Sequence, residues 1–420
     1  MGTSNARWLM LVSCLAVMAL AAGSLRPSIH DAASPPNSAG GVKAKIGGFA
    51  RADGERFTVG GRPFYPNGFN AYWLMYMASN PGDRSKVLDV LDQASRLGAT
   101  VIRTWAFNDG GSNRPLQTTP GVYSEDVFVG LDFVIAEAKK RGLYLILSLV
   151  NNWGDFGGKK QYVQWAKEQG HNLGPDDDFF RDALTQQLYK NHVKRVVTRV
   201  NSFTGVAYKD EPSIFAWELM NEPRVATDSS GKTMQAWVTL MSSYVKSIDD
   251  KHMVEVGLEG FYGESTPERK RINPGGDSAG TDFIGNNRIP TVDFATIHYY
   301  PDVWLPGSTR EQQVEFWKTW VASHIEDTAK ALRKPLVVAE FGWNSVGNAV
   351  AERDDYFRMV YDAIYASVKG GGPCAGGLFW QVLAPGMESW ADRYAVVLER
   401  SSTTAAIVSQ EFTRIGGIRP

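Results

Sequence analysis

Two glutamates occupy positions in the sequence where an acidic side chain would not be expected without a purpose. Glu222 closes an apolar run and stands directly before Pro223. Because proline cannot donate to a sheet, a strand must stop there, and the carboxyl group is expected at its rim. Glu340 lies near the end of a second apolar run, which Gly342 follows. Carboxyl groups placed in this way can serve as a nucleophile and as a general acid and base. We therefore predict a catalytic pair rather than two rim acids neutralised by arginines.

The elements that must position this pair are strands that recur along most of the chain. Several of the apolar runs are continuous, as in parallel strands that are covered on both faces. The eight predicted strands are Tyr65–Phe69, Thr100–Trp105, Leu143–Val150, Ser213–Met220, Met253–Leu258, Phe294–Tyr299, Leu336–Phe341 and Gly377–Val382.

Amphipathic stretches lie between most of these strands and predict helices. They are Ser85–Leu97, Val127–Arg141, Phe179–Val200, Thr233–Ile248, Gln312–Leu332 and Arg353–Val368. Eight strands with intervening helices predict an α/β fold of the (β/α)8 or TIM-barrel type. A doubly wound open sheet is the alternative. It is disfavoured because no Gly-x-Gly-x-x-Gly follows the first strand and because polar residues gather at every strand end.

The strand ends share a particular chemistry, in which carboxylates and amides occur together with tryptophan. Six of the 13 tryptophans lie there, namely Trp73, Trp105, Trp153, Trp304, Trp343 and Trp380. In a barrel these ends form the single face at which chemistry is done. Indole rings are flat platforms for the apolar faces of sugars, so the pattern predicts a saccharide cleft. Two carboxyl groups about 5–5.5 Å apart would make a nucleophile and an acid/base, whereas about 6.5–9.5 Å would leave room for an attacking water.

Composition excludes several other classes of protein. Of 420 residues, 43% are hydrophobic and 21% charged, which argues against global disorder. The 44 Lys and Arg balance the 45 Asp and Glu, so nothing suggests a nucleic-acid partner. Cys14 and Cys374 are the only cysteines, which excludes a disulfide scaffold and a multi-cysteine zinc site. The histidines show no ligand spacing, and we expect neither metal nor cofactor.

The first residues have the features of a targeting segment. Arg7 precedes a short apolar stretch that ends in small residues at Ser24. This pattern predicts a secretory signal peptide over residues 1–24. The apolar stretch, Trp8–Ala22, is shorter than the ~20 residues usually needed to span a bilayer, which disfavours an uncleaved anchor. Residues 25–41 are rich in turn formers and predict a flexible lead-in, and residues 42–420 are predicted as one catalytic domain. We expect an extracellular monomer with no membrane contact once the signal is cleaved.

The chain resembles glycoside hydrolase family five, and within it the plant-type mannan endo-1,4-beta-mannosidases. The resemblance runs through most of the mature chain. Its blocks are 101–107 (VIRTWAF), 151–153 (NNW), 203–210 (FTGVAYKD), 216–223 (AWELMNEP), 257–261 (GLEGF), 296–302 (TIHYYPD) and 340–342 (EFG). Asn-Glu-Pro alone is a weak signal, whereas these blocks in this order are specific. The resemblance implies a (β/α)8 barrel that hydrolyses β-1,4-mannosidic bonds of mannan, glucomannan and galactomannan with retention of configuration, with no cofactor.

The resemblance also implies a role for each matching residue. Glu222 is similar to the acid/base of that family, and Glu340 is similar to its nucleophile. Asn221 is similar to the residue that hydrogen-bonds the sugar 2-hydroxyl, Tyr300 to the tyrosine that contacts the nucleophile, and His298 to the histidine that helps to orient this group. Arg103 corresponds to the arginine near the nucleophile, Trp380 to the platform under the distorted sugar, and Trp105 to a further binding aromatic residue. Many family members have His-Asn after the third strand where this chain has Asn151-Asn152, so the role of that histidine is not carried over.

These roles lead to expectations about charge. We expect Arg103 and Tyr300 to lower the pKa of Glu340, and apolar walls and the second carboxylate to raise that of Glu222. Glu218 should point into the barrel as a structural partner of Arg103, whereas Glu259 is left open between a rim ligand and a supporting acid. An endo-β-1,4-glucanase, a non-catalytic carbohydrate-binding barrel and transfer to a sugar acceptor remain alternatives.

Overall fold

The computed structural model describes residues 45–110, 113–344 and 350–419. The predicted signal peptide, residues 1–24, and the predicted lead-in, residues 25–41, lie outside the described residues. Every statement about the fold below concerns the described ranges.

Eight parallel strands form the central sheet. They are β1 (Gly68–Asn70), β2 (Val101–Trp105), β3 (Tyr144–Ser148), β4 (Ile214–Glu218), β5 (Met253–Glu255), β6 (Ala295–Tyr299), β7 (Leu336–Phe341) and β8 (Cys374–Phe379). Their order is β5-β4-β3-β2-β1-β8-β7-β6, so β1 pairs with β8. The two ends of this order also meet, because Asp293 N donates to Val254 O (2.8 Å) and His298 N donates to Glu259 O (2.9 Å). The predicted (β/α)8 barrel is confirmed, and the open doubly wound sheet is wrong.

Helices surround the barrel. Their bounds are Leu74–Ala78, Arg84–Leu97, Glu125–Lys140, Gly158–Glu168, Ala183–Val197, Lys232–Ile248, Phe283–Asn287, Pro301–Trp304, Arg310–Asp327, Val350–Lys369 and Ser402–Gly416. One predicted helix starts too early: Asp182, rather than a residue near Phe179, caps it by accepting from the amides of Leu184 and Thr185. Within the described ranges, no helix combines the length and the apolar character needed to cross a bilayer.

Most predicted strands are correct in place but one or two residues off at their ends. The eighth strand is Cys374–Phe379 rather than the predicted Gly377–Val382. The shift places Trp380 just beyond the strand, on the face that carries the carboxyl ends. Glu222 likewise lies four residues beyond the end of β4. Side chains on such strand-to-helix segments can reach over the mouth of the barrel.

A small antiparallel sheet closes the opposite end of the barrel. Its strands are Ala50–Asp53, Arg56–Val59 and Arg62–Phe64. The ring of Phe57 packs against Phe215 of β4 at 5.2 Å and against Phe294 at 5.2 Å. This apolar cap keeps water out of the barrel floor, so polar groups inside the barrel are reached only from the other end.

Asp109 is buried beneath the loops that shape the cleft, and its ionisation bears on stability. Its amide donates to Phe156 O at 2.9 Å, which ties it to the loop that carries Trp153. Its carboxyl group accepts from Gln117 Nε2 at 3.0 Å, and among the described residues no charged partner offsets its burial. Burial therefore raises the pKa of Asp109 from 3.8 to about 7.

Asp109→Asn is therefore expected to become more stable relative to the parent as the pH rises. A carboxyl group with a raised pKa in the folded state binds its proton more tightly there than in the unfolded chain. Its penalty is absent below the unfolded pKa of 3.8 and complete above the folded pKa of about 7. Three pKa units correspond to about 4 kcal/mol at most. Urea unfolding at several pH values measures the effect. The exposed Asp250→Asn is the control, and a difference between Asp109→Asn and parent that does not vary with pH would contradict the prediction.

Candidate active site

Glu222 is held by backbone and side-chain bonds at the carboxyl end of the barrel. Its amide donates to Gly257 O at 3.0 Å, and its backbone has a φ of +50°. Trp153 Nε1 donates to Glu222 Oε2 at 2.6 Å, and His298 Nδ1 lies 2.8 Å from Oε1. Both carboxylate oxygens are therefore partnered, and the group remains partly exposed, with 13% of its side chain accessible.

The segment carrying Glu222 needs a glycine beside it. Gly257 has a φ of +89°, and a Cβ at this position would lie 1.8 Å from Met220 O. No side chain can be accommodated there, because the close atom belongs to the backbone of the catalytic segment.

Gly257→Ala is therefore expected to lower the free energy of unfolding by about 3 kcal/mol or more, through combined strain and displacement of the Glu222 segment. Activity should fall even where the variant remains folded, because Gly257 O holds the Glu222 amide. Gly154→Ala is the matched control, because a Cβ at Gly154 meets no atom within 4 Å. Urea unfolding and initial rates measure both variants, and equal behaviour of the two would contradict this account.

Glu340 is bound by a cation and by a phenol. Arg103 Nη1 donates to Glu340 Oε1 at 2.5 Å, and Tyr300 Oη donates to Oε2 at 2.6 Å. His298 Nδ1 is farther from Glu340, at 3.7 Å from Oε2. These contacts fix both oxygens of the group at the floor of the cleft, where 4% of its side chain is accessible.

The two glutamates converge from opposite sides of the barrel. One carboxylate oxygen of Glu222, one of Glu340 and one ring nitrogen of His298 all lie within 4.8 Å of one another. A divalent metal held by these three groups would face the guanidinium of Arg103, so we interpret them as a proton-transfer set. The sequence prediction that Glu222 and Glu340 meet across one cleft is consistent with this geometry.

Arg103 lies at the centre of the polar network in the barrel. Its Nε and Nη2 donate to the two oxygens of Glu218 at 2.5 and 2.7 Å, which agrees with the structural role expected for Glu218. Nη1 also donates to Asn70 Oδ1 at 2.9 Å, and Nη2 to Asn221 Oδ1 at 2.7 Å. Burial opposes the charge of Arg103, but the carboxylates of Glu218 and Glu340 outweigh it and raise the pKa of Arg103 further.

The pKa order of the catalytic pair differs from the expectation. Burial favours the neutral form of Glu222, but the hydrogen bond and charge of His298 outweigh it and lower the pKa of Glu222 to about 2. Burial raises the pKa of Glu340, and His298 and Arg103 only partly oppose it. Two contacts explain this order. The imidazole of His298 lies nearer to Glu222 than to Glu340, and Arg103 binds Glu218 as well as Glu340, so that its charge is divided between them. The pKa of His298 is raised by both glutamates against the effect of burial.

Asn221 connects the catalytic segment with the end of the third strand. Its Oδ1 accepts from Arg103, and its Nδ2 donates to Asn151 Oδ1 at 3.0 Å. Asn151 thus supports Asn221, while Asn152 Oδ1 accepts from the amide of Arg224 at 3.1 Å. The residues that stand in place of His-Asn therefore position the segment on both sides of Glu222.

Aromatic rings form one wall of the cleft. Trp380 stacks on Tyr72 with centroids 5.5 Å apart and planes within 9°, and its Nε1 donates to Asp392 Oδ2 at 2.7 Å. Trp105 lies 6.1 Å from Trp380 and is almost fully buried, with 4% of its surface accessible. Contacts of Trp380, Trp105, Asn221, Tyr300, His298 and Arg103 with a sugar stay predictions. By contrast, Trp317 and Trp320 are buried on the outer helix Arg310–Asp327.

The structure adds two residues to the candidate site, Arg224 and Trp153, to which the sequence assigned no individual role. Arg224 donates through Nε and Nη2 to the two oxygens of Glu259, both at 2.6 Å, so Glu259 is an ion-pair partner. The guanidinium of Arg224 lies 5.2 Å from the ring centroid of Trp153. Its place two residues after Glu222 is the only sequence signal that could have pointed to it. Trp153 was counted among the strand-end tryptophans, but its bond to Glu222 follows only from the fold.

A (β/α)8 barrel with two converging carboxyl groups in an aromatic-walled cleft is the architecture of a glycoside hydrolase. Residues 47–389 match the family model described as GH family 5 beta-mannosidase-like. The chain belongs to glycoside hydrolase family 5.

Relatives agree with this membership. The chain is 69% identical over 376 residues to a protein of Oryza sativa subsp. japonica with the provisional name mannan endo-1,4-beta-mannosidase 9, covering 89% of this chain and 91% of that one. It is 52% identical to mannan endo-1,4-beta-mannosidase 7 of Arabidopsis thaliana, covering 89% and 86%. Among solved structures, the endo-beta-1,4-mannanase of Thermotoga petrophila is similar with a TM-score of 0.73 and 33% identity, covering 85% of this chain and 78% of that one.

Proposed function

We propose that this protein is a secreted, retaining endo-β-1,4-mannanase that hydrolyses internal bonds of mannan, glucomannan and galactomannan in the cell wall. The observation that carries the mechanism is the distance of at most 4.8 Å between an oxygen of Glu222 and an oxygen of Glu340. This spacing suits a nucleophile and an acid/base and is too short for an interposed attacking water. The substrate class is supported by the names of the relatives described above.

The proposed reaction has two displacements. Glu340 attacks the anomeric carbon and forms a glycosyl ester, while Glu222 gives a proton to the departing glycosidic oxygen. Once esterified, Glu340 carries no charge, and Glu222 takes a proton from the water that attacks the ester. Tyr300 and Arg103 hold the two oxygens of Glu340, so that the attacking lone pair has a defined direction.

The proton for the first step comes from the pair formed by His298 and Glu222. The charged pair of imidazolium and carboxylate contains the same number of protons as the neutral pair of imidazole and carboxylic acid. Transfer across the 2.8 Å contact between Nδ1 and Oε1 therefore needs no proton from solvent. A low pKa of Glu222 is then compatible with acid catalysis, because the proton to be transferred is bound to the adjacent imidazole of His298 until the glycosidic bond breaks.

The 2-hydroxyl of mannose is axial, and this is the group that distinguishes it from glucose. Asn221 is proposed to meet that hydroxyl, since it lies beside both Glu222 and Arg103. A hydrogen bond that tightens as positive charge develops on the sugar ring stabilises the transition state selectively. Trp380 is proposed as the platform under the same sugar.

A polysaccharide panel and a product profile test the proposal together. We expect reducing ends to be released from mannan, glucomannan and galactomannan, and far more slowly from cellulose. Proton NMR of the first products from mannohexaose should show the β-anomer before mutarotation, and longer products would reveal transfer to a sugar acceptor. Faster release from cellulose would identify an endo-glucanase, and first-formed α-anomer would exclude retention. Absence of any release would favour a carbohydrate-binding barrel.

Secretion and oligomeric state are separate parts of the proposal. The sequence pattern of residues 1–24 supports export. We expect the secreted protein to begin at or near Leu25, as N-terminal sequencing would show. Light scattering should give the mass of a monomer, and a stable dimer would contradict that part.

A further inference from the structure

A carboxyl group that the proposed mechanism does not use lies beneath the catalytic network. Glu255 is the last residue of β5 and is fully buried inside the barrel. It is the register partner of Glu218 on the parallel neighbour β4, so both side chains project from the same face of the sheet. This register brings the two carboxyl groups together inside the barrel, and the charge of Glu218 raises the pKa of Glu255.

Two neighbouring carboxyl groups can form a hydrogen bond only when one of them carries a proton. Gly257 N donates to Glu255 Oε2 at 2.5 Å, and Thr296 Oγ1 lies 3.5 Å from the same atom. No donor among the described residues lies within hydrogen-bond distance of Glu255 Oε1. That oxygen is available to hold a proton and to donate it toward Glu218, which removes the strong repulsion between two ionised carboxylates within a closed barrel.

The proton resides on Glu255 rather than on Glu218, because only Glu218 faces a cation directly. Arg103 binds both oxygens of Glu218 through two parallel N–H groups. Burial and the neighbouring carboxylate together raise the pKa of Glu255 well above its ordinary value, while Arg103 holds the pKa of Glu218 low. The groups that face Glu255 are thus the carboxylate of Glu218, the guanidinium of Arg103 and the Thr296 hydroxyl.

We propose that Glu255 is a positioning residue, a neutral carboxylic acid that donates to Glu218 and thereby holds Arg103 against Glu340. The order of contacts is Glu255 to Glu218, Glu218 to Arg103, and Arg103 to Glu340. By withdrawing part of the charge of Glu218, the donated proton leaves more of the charge of Arg103 for Glu340. This inference rests on the proposed role of Glu340 as nucleophile, but its first test does not.

The protonation itself is measurable without substrate. Infrared spectra at about pH 8, above the pKa of about 7 of Asp109 and Glu259, should show the carbonyl band of a protonated carboxylic acid. The band should shift in D2O and be lost in Glu255→Gln. Absence of the band, or its persistence in Glu255→Gln, would overturn the proposal whether or not mannan is the substrate.

Two variants then distinguish the effect of the hydrogen-bond donor at position 255 from the effect of the volume of its side chain. Gln keeps the size of Glu255 and supplies an N–H toward Glu218, so Glu255→Gln should keep kcat/KM within about twofold of the parent. Met fills the space without a donor, so Glu255→Met should lower kcat/KM about tenfold and shift the acidic limb of its pH profile upward by about one unit. The shift is upward because a less well stabilised Glu340 carboxylate has a higher pKa.

The variants also identify a failure of the idea. If Glu255→Gln is as slow as Glu255→Met, the donor is not what matters. If the Met variant is slow but keeps the acidic limb of the parent, Glu255 acts only through packing. If Glu255→Met does not fold, the infrared measurement and the rate of Glu255→Gln decide alone.

Discussion

Glu340→Ala is expected to lower kcat/KM on mannan by about 10⁴-fold or more, because no other group can form the covalent intermediate. The fold should survive, since Arg103 keeps its two bonds to Glu218 and its bond to Asn70 when Glu340 is lost. The loss is measured as reducing-sugar release, together with urea unfolding of the same preparation. The exposed Glu352→Ala is the matched control and should behave as the parent.

Azide should identify the function that Glu340→Ala has lost. A small anion can enter the space of the missing carboxylate and attack an activated aryl β-mannobioside from the same side. The phenolate departs as azide bonds to the anomeric carbon, and the product should be the α-mannobiosyl azide, because only one displacement has occurred. A variant that hydrolyses mannan at the parent's rate, or that yields the β-azide, would show that Glu340 is not the nucleophile.

Glu222→Ala should have the second largest effect, and its size should depend on the leaving group. On mannan we expect a loss of about 10³-fold, within the range of a general acid. An aryl β-mannobioside with an acidic phenol needs no protonation to depart, so its first turnover should remain fast. A burst of phenol followed by slow turnover is therefore expected in stopped-flow measurements.

The second step of the same variant provides an independent check. Azide needs no base to attack the mannobiosyl ester, so it should accelerate the slow phase, release the Glu340 carboxylate and yield the β-mannobiosyl azide. Glu222→Gln is the companion variant, because it retains an oxygen that can accept from Trp153 and the size of the parent side chain. Equal losses on mannan and on the activated substrate would argue against the acid/base role of Glu222.

The sequence alone predicted the barrel and named Glu222 and Glu340 as a pair at one end of it, because these features are encoded locally. An apolar run that ends at Pro223 specifies both a strand and the place where it stops. A parallel barrel then brings all such strand ends to one face, whatever the intervening helices contain. Helix ends were less certain. The cap at Asp182 depends on which of several nearby aspartates meets free amides, and the pattern of residue types does not distinguish them.

Only the tertiary structure decided how charge and protons are distributed in the site. His298 approaches Glu222 at 2.8 Å and Glu340 at 3.7 Å, and this difference reverses the expected pKa order. The sequence identifies Glu255 only as a residue of a predicted strand, whereas the register of the folded sheet places it beside Glu218. Electrostatic interactions depend on distance and burial between residues far apart in the chain. Strand periodicity carries no such information, so the sequence could name the acids but not which of them hold protons.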